Sequence, residues 1–317
     1  MHMKKNALVG IDVSYKTFNA HFKGRSKEYG NDRRGWRKLA KEAPPNSVYA
    51  MEATGCYHYR LAAYLHSQGL RVIVLNAYFL KHWIMSQGSK AKTDKRDAEQ
   101  IALYSMTREA KIKEWKPLSP LRARARVIVT LLAGLSKFKR SAGNMNHAIG
   151  LVVGKASDML DVMDGVSNAC RDREEALQTE LAEIARKIFP KRFELLRTIP
   201  AIGDKTASIL LVCCNGFEDF QTHRQLVSYL GLAPKVIESG TSVRGKSRIS
   251  KTGNNYLRAL MFMCSLGALR RCKPCRDLFE RLVAAGKPKK LAIVAVMHRL
   301  AKIAFGVVQS GEPYRGG

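Results

Sequence analysis

An acid sits inside an apolar run near the start of the chain, in Leu8-Val9-Gly10-Ile11-Asp12-Val13. Such a run reads as a central strand, and a carboxylate in it needs a reason, because burying an unpaired charge is unfavourable. The elements after this strand set the fold class. Thr17 to Phe22 and a short piece near Tyr29 read as two more strands joined by tight polar turns. Trp36 to Lys41 is helical, Pro44-Pro45-Asn46 is a break, and Ser47-Val48-Tyr49-Ala50-Met51-Glu52 is a fourth strand that again ends on an acid. A helix over Tyr59 to Gln68, a fifth strand to Leu75 and a helix from about Asp94 complete the series. Three strands, then helix, strand, helix, strand and helix, predict an α/β layer with mixed strand directions.

The last helix of that unit opens in Lys92-Thr93-Asp94-Lys95-Arg96-Asp97. Asp94 and Asp97 are three apart, so they share a helix face. First-turn acids are also ordinary helix caps, with Asp94 at the cap and Asp97 at the third position. Asp12 taken singly could serve a turn, and Glu52 a surface ion pair. All four together, on two strands and one helix, are harder to assign to separate structural duties. Convergent hard oxygens are what divalent cations require, and two-metal phosphoryl chemistry needs several from different elements. The order of these acids resembles the metal-binding carboxylates of ribonuclease-H-like nucleases, in the RuvC-like branch that resolves Holliday junctions.

Charge points to the partner. The chain has 55 Lys and Arg against 26 Asp and Glu, a formal net charge of +29. Such an excess fits a polyanion, nucleic acid before membrane, since no apolar run approaches the roughly 18 residues of a spanning helix. No signal-peptide pattern is seen at the start, so a cytoplasmic, nucleoid-associated protein is expected. Seven scattered cysteines fit reduced thiols. Cys272-Lys-Pro-Cys275 has zinc or redox spacing but lacks a second ligand pair.

Pro117 and Pro120 mark a boundary. From Leu121 to about Ile149 the pattern is helical, with Ile128, Leu131 or Leu132, Leu135 and Phe138 at helical spacing. A looser stretch with Gly150, Gly154 and Gly165 comes next. Leu177, Leu181, Ile184 and Ile188 then form a stripe suited to a coiled-coil seam or to an internal bundle. Residues 121–190 contribute +3 (11 minus 8), whereas residues 1–120 contribute +12 (22 minus 10) and residues 191–317 +14 (22 minus 8). Three parts are expected: 1–118 the acid-bearing α/β domain, 119–190 a helical coiled-coil spacer, and 191–317 a mainly helical domain.

In the last part, Leu195 to Ala207 resembles a helix-hairpin-helix, whose turn offers backbone N–H groups to phosphate. Ala201 replaces the usual first glycine. Past Pro234 comes a basic, hydroxyl-rich stretch. From Ser239 to Arg276 there are nine Lys or Arg and no acid. Lys92, Arg244, Lys246, Arg248 and Lys251 are the cations expected on nucleic acid. A serine nucleophile needs activation, and the residue pattern alone does not choose among Ser239, Ser242, Ser247 and Ser250. Asn255 to Leu269 and Leu291 to Val307 read as helices.

Gly10-Ile11-Asp12, Glu52-Ala53-Thr54-Gly55, Lys92-Thr93-Asp94 with Asp97, Ile199-Pro200-Ala201-Ile202-Gly203, and Glu238-Ser239-Gly240 through Val243-Arg244-Gly245 occur in one order. In that order the chain resembles the DEDD recombinases of the insertion-sequence family numbered one hundred and ten, relatives of the pilin-gene invertases. The resemblance implies a RuvC-like domain, a coiled coil and a transposase domain. It implies that Asp12, Glu52, Asp94 and Asp97 hold Mg²⁺ and that Ser239 is a nucleophile that becomes joined to DNA. It further implies a noncoding bridge RNA as guide, DNA ends and target as substrates, and a dimer or tetramer. The alternatives are a hydrolytic junction nuclease using the same acids, and a noncatalytic nucleic-acid scaffold.

Overall fold

A computed structural model describes residues 7–53, 55–87, 94–108, 113–153, 158–235, 238–239, 243–244 and 248–316. It describes the backbone alone at Asp94, Lys95, Arg108, Val153, Met159, Lys235, Glu238, Ser239, Val243, Arg244 and Arg248. The chain divides into two compact units, residues 1–118 and 119–317.

The first unit is built on five strands: β1 (Leu8–Val13), β2 (Thr17–Phe22), β3 (Arg25–Gly30), β4 (Val48–Glu52) and β5 (Arg71–Leu75). Their order in the sheet is β3-β2-β1-β4-β5, with β1, β2 and β3 antiparallel and β1, β4 and β5 parallel. The mixed directions expected from the element order are therefore present. Four helices cover the sheet: α1 (Arg33–Glu42), α2 (His58–Ser67), α3 (Ala77–Ser86) and α4 (Asp94–Arg108). The helix α3 was not expected. It starts where the Asn76 side chain accepts from Tyr78 N at 2.9 Å, a cap hidden in an apolar stretch.

Strand alternation assigns the two faces. Val9, Ile11, Val13, Tyr49 and Met51 pack with Trp36, Leu39, Leu61 and Leu65 of α1 and α2. Val48, Ala50, Ile73 and Leu75 pack with Leu80 of α3 and Ile101 and Tyr104 of α4. Gly10 lies on this second face, and α4 comes so close that a Cβ there would stand 2.1 Å from Ala98 O and 2.5 Å from Ala102 N. Only a glycine permits that approach.

The second unit begins with two long helices, α5 (Pro120–Val153) and α6 (Asp158–Ile188), which pack along each other as a hairpin. Pro120 at the first position suits a helix start. Gly150 and Gly165 lie within these helices, against the looser stretch expected around them, and Gly154 lies outside the described residues. Flanking helical residues carry both glycines, at a modest propensity cost each. The Leu177–Ile188 stripe packs inside the chain: Leu181 and Ile184 share a core with Ala125, Ile128, Val129 and Leu132 of α5 and with later helices of the unit. Leu132, not Leu131, faces that core, and Phe138 is exposed.

Those later helices are α7 (Pro190–Arg197), α8 (Asp204–Cys213), α9 (His223–Tyr229), α10 (Asn255–Arg271), α11 (Lys273–Ala284) and α12 (Lys289–Ser310). With a mean hydropathy of 1.8, α12 is long and apolar enough to cross a membrane, contrary to the sequence expectation. Its Val296, Leu300, Ala301 and Ala304 are instead buried in the core of this unit. Between α9 and α10 the basic stretch forms two short ladders. The strand β6 (Pro234–Lys235) pairs with β9 (Arg248–Ile249), and β7 (Glu238–Ser239) pairs with β8 (Val243–Arg244).

Candidate active site and nucleic-acid interface

Asp12 comes two residues after Gly10 and so projects from the same face of β1. In the parallel β1–β4 ladder Ile11 lies opposite Met51, which places Asp12 and Glu52 side by side at the carboxyl ends of neighbouring strands. The α4 helix lies across this face, and Asp97 immediately precedes Ala98, the residue over Gly10. Asp12, Glu52 and Asp97 are all half-buried. Asp94 is the first residue of α4, and Lys92 lies outside the described residues. Among the described residues Glu52 has no ion-pair partner, against the surface salt bridge that would have given it a structural duty.

Among the described residues no three His, Cys, Asp or Glu side chains form a ready metal cluster. A hard cation nonetheless fits the donor chemistry. Two carboxylates sit in adjacent register, and two more are carried by the first turns of the helix that packs on them. A further oxygen was missed by sequence reasoning. Asn19 lies opposite Asp12 in the β1–β2 ladder, is buried, and its Oδ1 has no hydrogen-bond partner.

In the second unit the turn between α7 and α8 has the helix-hairpin-helix outline, and Ala201 takes the left-handed φ of +72° that a glycine would normally hold there. Asp204, the first residue of α8, is clamped by Arg197 and Arg186, each at 2.6 Å. An acid therefore already occupies the helix start proposed for phosphate. Below it, Glu174 is buried between Lys139 at 2.6 Å and Lys205 at 2.9 Å. Burial alone would raise its carboxyl, but the two ammoniums outweigh burial and hold it below the usual range.

Ser239 sits opposite Val243, and Glu238 opposite Arg244, in the inner ladder of the basic stretch. Lys246 and residues 240–242 are outside the described residues. The base of this hairpin is fixed. Ser250 N donates to Ala233 O at 2.8 Å, and the backbones of Gly231 and Gly253 touch so closely that a Cβ on Gly253 would meet Gly231 N at 2.5 Å. Lys251 is exposed at its edge, with a φ of +55°. The cysteines at 272 and 275 are buried, and burial first, then contact with Cys272, pushes the Cys275 thiol up to about 12. Cys275 is therefore a protonated thiol.

Sequence comparison bears on both units. Residues 9–141 match a transposase model of the DEDD IS110 type, and residues 193–280 match the Transposase IS116/IS110/IS902 family. The chain belongs to the IS110 family of transposases. The transposase is 28% identical to the pilin gene-inverting protein of Moraxella bovis, over 96% of this chain and 97% of that one. It is 24% identical to a probable family 20 transposase of Pseudomonas aeruginosa, over 98% of each. It is 23% identical to the transposase for insertion sequence element IS1111A of Coxiella burnetii, over 84% of this chain and 79% of that one. An IS110 transposase is an enzyme of DNA recombination, and its DEDD-type domain points to use of a divalent metal.

Proposed function

We propose that this transposase cuts and rejoins DNA through a covalent protein–DNA bond at Ser239, using a RuvC-like cluster of Asp12, Glu52, Asp94 and Asp97. The observation that carries the reading is the adjacency of Asp12 and Glu52 on parallel strands beneath the helix that begins with Asp94 and Asp97. Those four carboxylates would hold Mg²⁺, which when bound polarises the scissile phosphate and offsets its developing charge.

The Ser239 hydroxyl attacks phosphorus. Its Oγ–P bond forms as one P–O bond to deoxyribose breaks; the serine gives up its proton, and the freed sugar oxygen takes up one to become a hydroxyl. One phosphoester replaces another, so a later attack by a sugar hydroxyl rejoins DNA and releases the serine without an external energy source. The acids and Ser239 belong to different units, and the reaction requires both sets at one phosphate.

Lys92, Arg244, Lys246, Arg248 and Lys251 contact phosphates, which position nucleic acid without reading it. The charge of +29 leaves room for a guide bridge RNA as well as DNA. Exchange between two duplexes calls for a dimer or tetramer. The distal part of the α5–α6 hairpin supports association, because Phe138, Met145, Leu151, Val152 and Val162 are exposed there. In this reading residues 1–118, 119–190 and 191–317 are the metal, spacer and nucleophile parts, acting on DNA at the nucleoid in the cytoplasm.

Incubation of Ser239→Ala with end-labelled element DNA and Mg²⁺ tests the assignment. Wild type is expected to trap a covalent adduct on a denaturing gel, and the variant none. An adduct in the variant removes Ser239 from the reaction. Free DNA ends from wild type without any adduct point to hydrolysis by the acids.

A further inference from the structure

We propose that the side-chain Oδ1 of Asn19 is an additional, neutral oxygen donor to the divalent cation held beside Asp12. This role rests on metal binding by the four acids and extends it to a residue outside them.

Asn19 and Asp12 are direct partners in the antiparallel β1–β2 ladder, so their side chains leave the sheet on the same face. Directly opposed residues have Cβ atoms about 5 Å apart, close enough for both side chains to reach one ion. The helix α4, which carries Asp94 and Asp97, packs on β2 as well as on β1. Asn19 is only 5% exposed, and its Oδ1 has no hydrogen-bond partner. A buried acceptor left unpaired is rare, because it loses its water and gains nothing in return. Gln100, three residues beyond Asp97 on α4, has a second buried oxygen without a partner, Oε1. Two buried acceptors without partners thus lie on β2, opposite Asp12, and on α4, the helix of Asp97, and a cation satisfies such an oxygen where a carboxylate cannot.

The residue type also fits. Amide oxygens are accepted ligands of hard cations. An amide fills a coordination position without adding a further negative charge to a set of four carboxylates, whose mutual repulsion in the metal-free protein is already unfavourable.

The test is Mn²⁺ binding to the purified full chain, monitored by the electron paramagnetic resonance signal of free Mn²⁺. Thermal unfolding in chelator is recorded alongside. Asn19→Leu removes the oxygen at similar volume, and Asn19→Asp restores an oxygen with charge. Asn19→Leu is expected to weaken Mn²⁺ binding by about tenfold or more, with an unfolding temperature in chelator equal to or above that of wild type. Asn19→Asp is expected to bind Mn²⁺ at least as tightly as wild type and to unfold earlier in chelator. Equal Mn²⁺ affinity in wild type and Asn19→Leu overturns the role of Asn19 while leaving the four acids in place. So does an Asn19→Leu protein that unfolds early, paired with an Asn19→Asp protein that does not retain Mn²⁺. Wild type and Asp12→Ala with the same Mn²⁺ isotherm would overturn the metal reading itself, and the role of Asn19 with it.

Discussion

Gly10 is the residue on which the geometry of the acid face depends. Its missing Cβ lets α4 rest directly on β1, and the atoms a Cβ would strike, Ala98 O and Ala102 N, are backbone and cannot rotate away. Gly10→Ala must therefore lift the helix that carries Asp94 and Asp97. Overpacking of this kind costs about 2 kcal/mol, and it moves two acids away from the other two. The expected result is a lower denaturant midpoint together with loss of Mg²⁺-dependent DNA cleavage. Gly134→Ala in α5 is the control: nothing lies within 4 Å of its Cβ, and it should stabilise by about 1 kcal/mol. An unaltered midpoint in Gly10→Ala would mean that α4 is not held against the strand. At this scale Asp12 and Glu52 were legible in the sequence, because an acid in or at the end of an apolar run breaks a pattern. Asn19 was not, because an amide among Thr17, Phe18 and Ala20 looks like ordinary strand polarity until its partner across the ladder is known.

At the scale of elements, strands and long helices were legible, and joints were less so. The β1, β4 and β5 spans arise from apolar runs between turn residues. The helix α3 escaped because its only start signal is Asn76. The short ladders around Ser239 escaped because two-residue strands have no periodicity to detect. The Leu177–Ile188 stripe was visible, but period alone does not say whether a partner chain or the same chain covers it, and here the same chain does. Glu174 joins three of these elements: its own α6, α5 through Lys139, and α8 through Lys205. Its carboxyl is held below the ordinary value in the folded protein, so the unfolded chain takes up its proton first as pH falls. The stability it supplies is present above about pH 4.5, the unfolded value, and is lost as pH falls through the lower folded one. Glu174→Gln should therefore lower stability at pH 7 by about 2 kcal/mol, the size of two charge-assisted hydrogen bonds weakened in a buried place. The gap to wild type should close in acid. Denaturant midpoints of the two proteins at about pH 7 and about pH 4 measure this, and a gap that stays constant with pH would show that the ion pairs contribute nothing.

Across the whole molecule, charge is distributed unevenly along the chain. Residues 121–190 carry +3, against +12 and +14 in the flanking parts, and the 38 residues from Ser239 to Arg276 have nine cations without an acid. Like charges so concentrated repel each other until an anion lies among them, so DNA binding should release counterions mainly at this stretch. Each phosphate neutralised contributes about −0.9 to the slope of log affinity against log salt. Changing Arg244, Lys246, Arg248 and Lys251 together to Gln should flatten that slope by up to about 3.6 if all four meet phosphates. The same number of changes on the hairpin, at the exposed Lys137, Arg140, Arg171 and Arg173, removes equal net charge from the chain and should leave the slope nearly unaltered. Fluorescence anisotropy with one duplex at several salt concentrations measures both. Equal flattening by the two sets would mean that DNA responds to the summed field of the protein, and the stretch around Ser239 would lose its claim to be where the duplex lies.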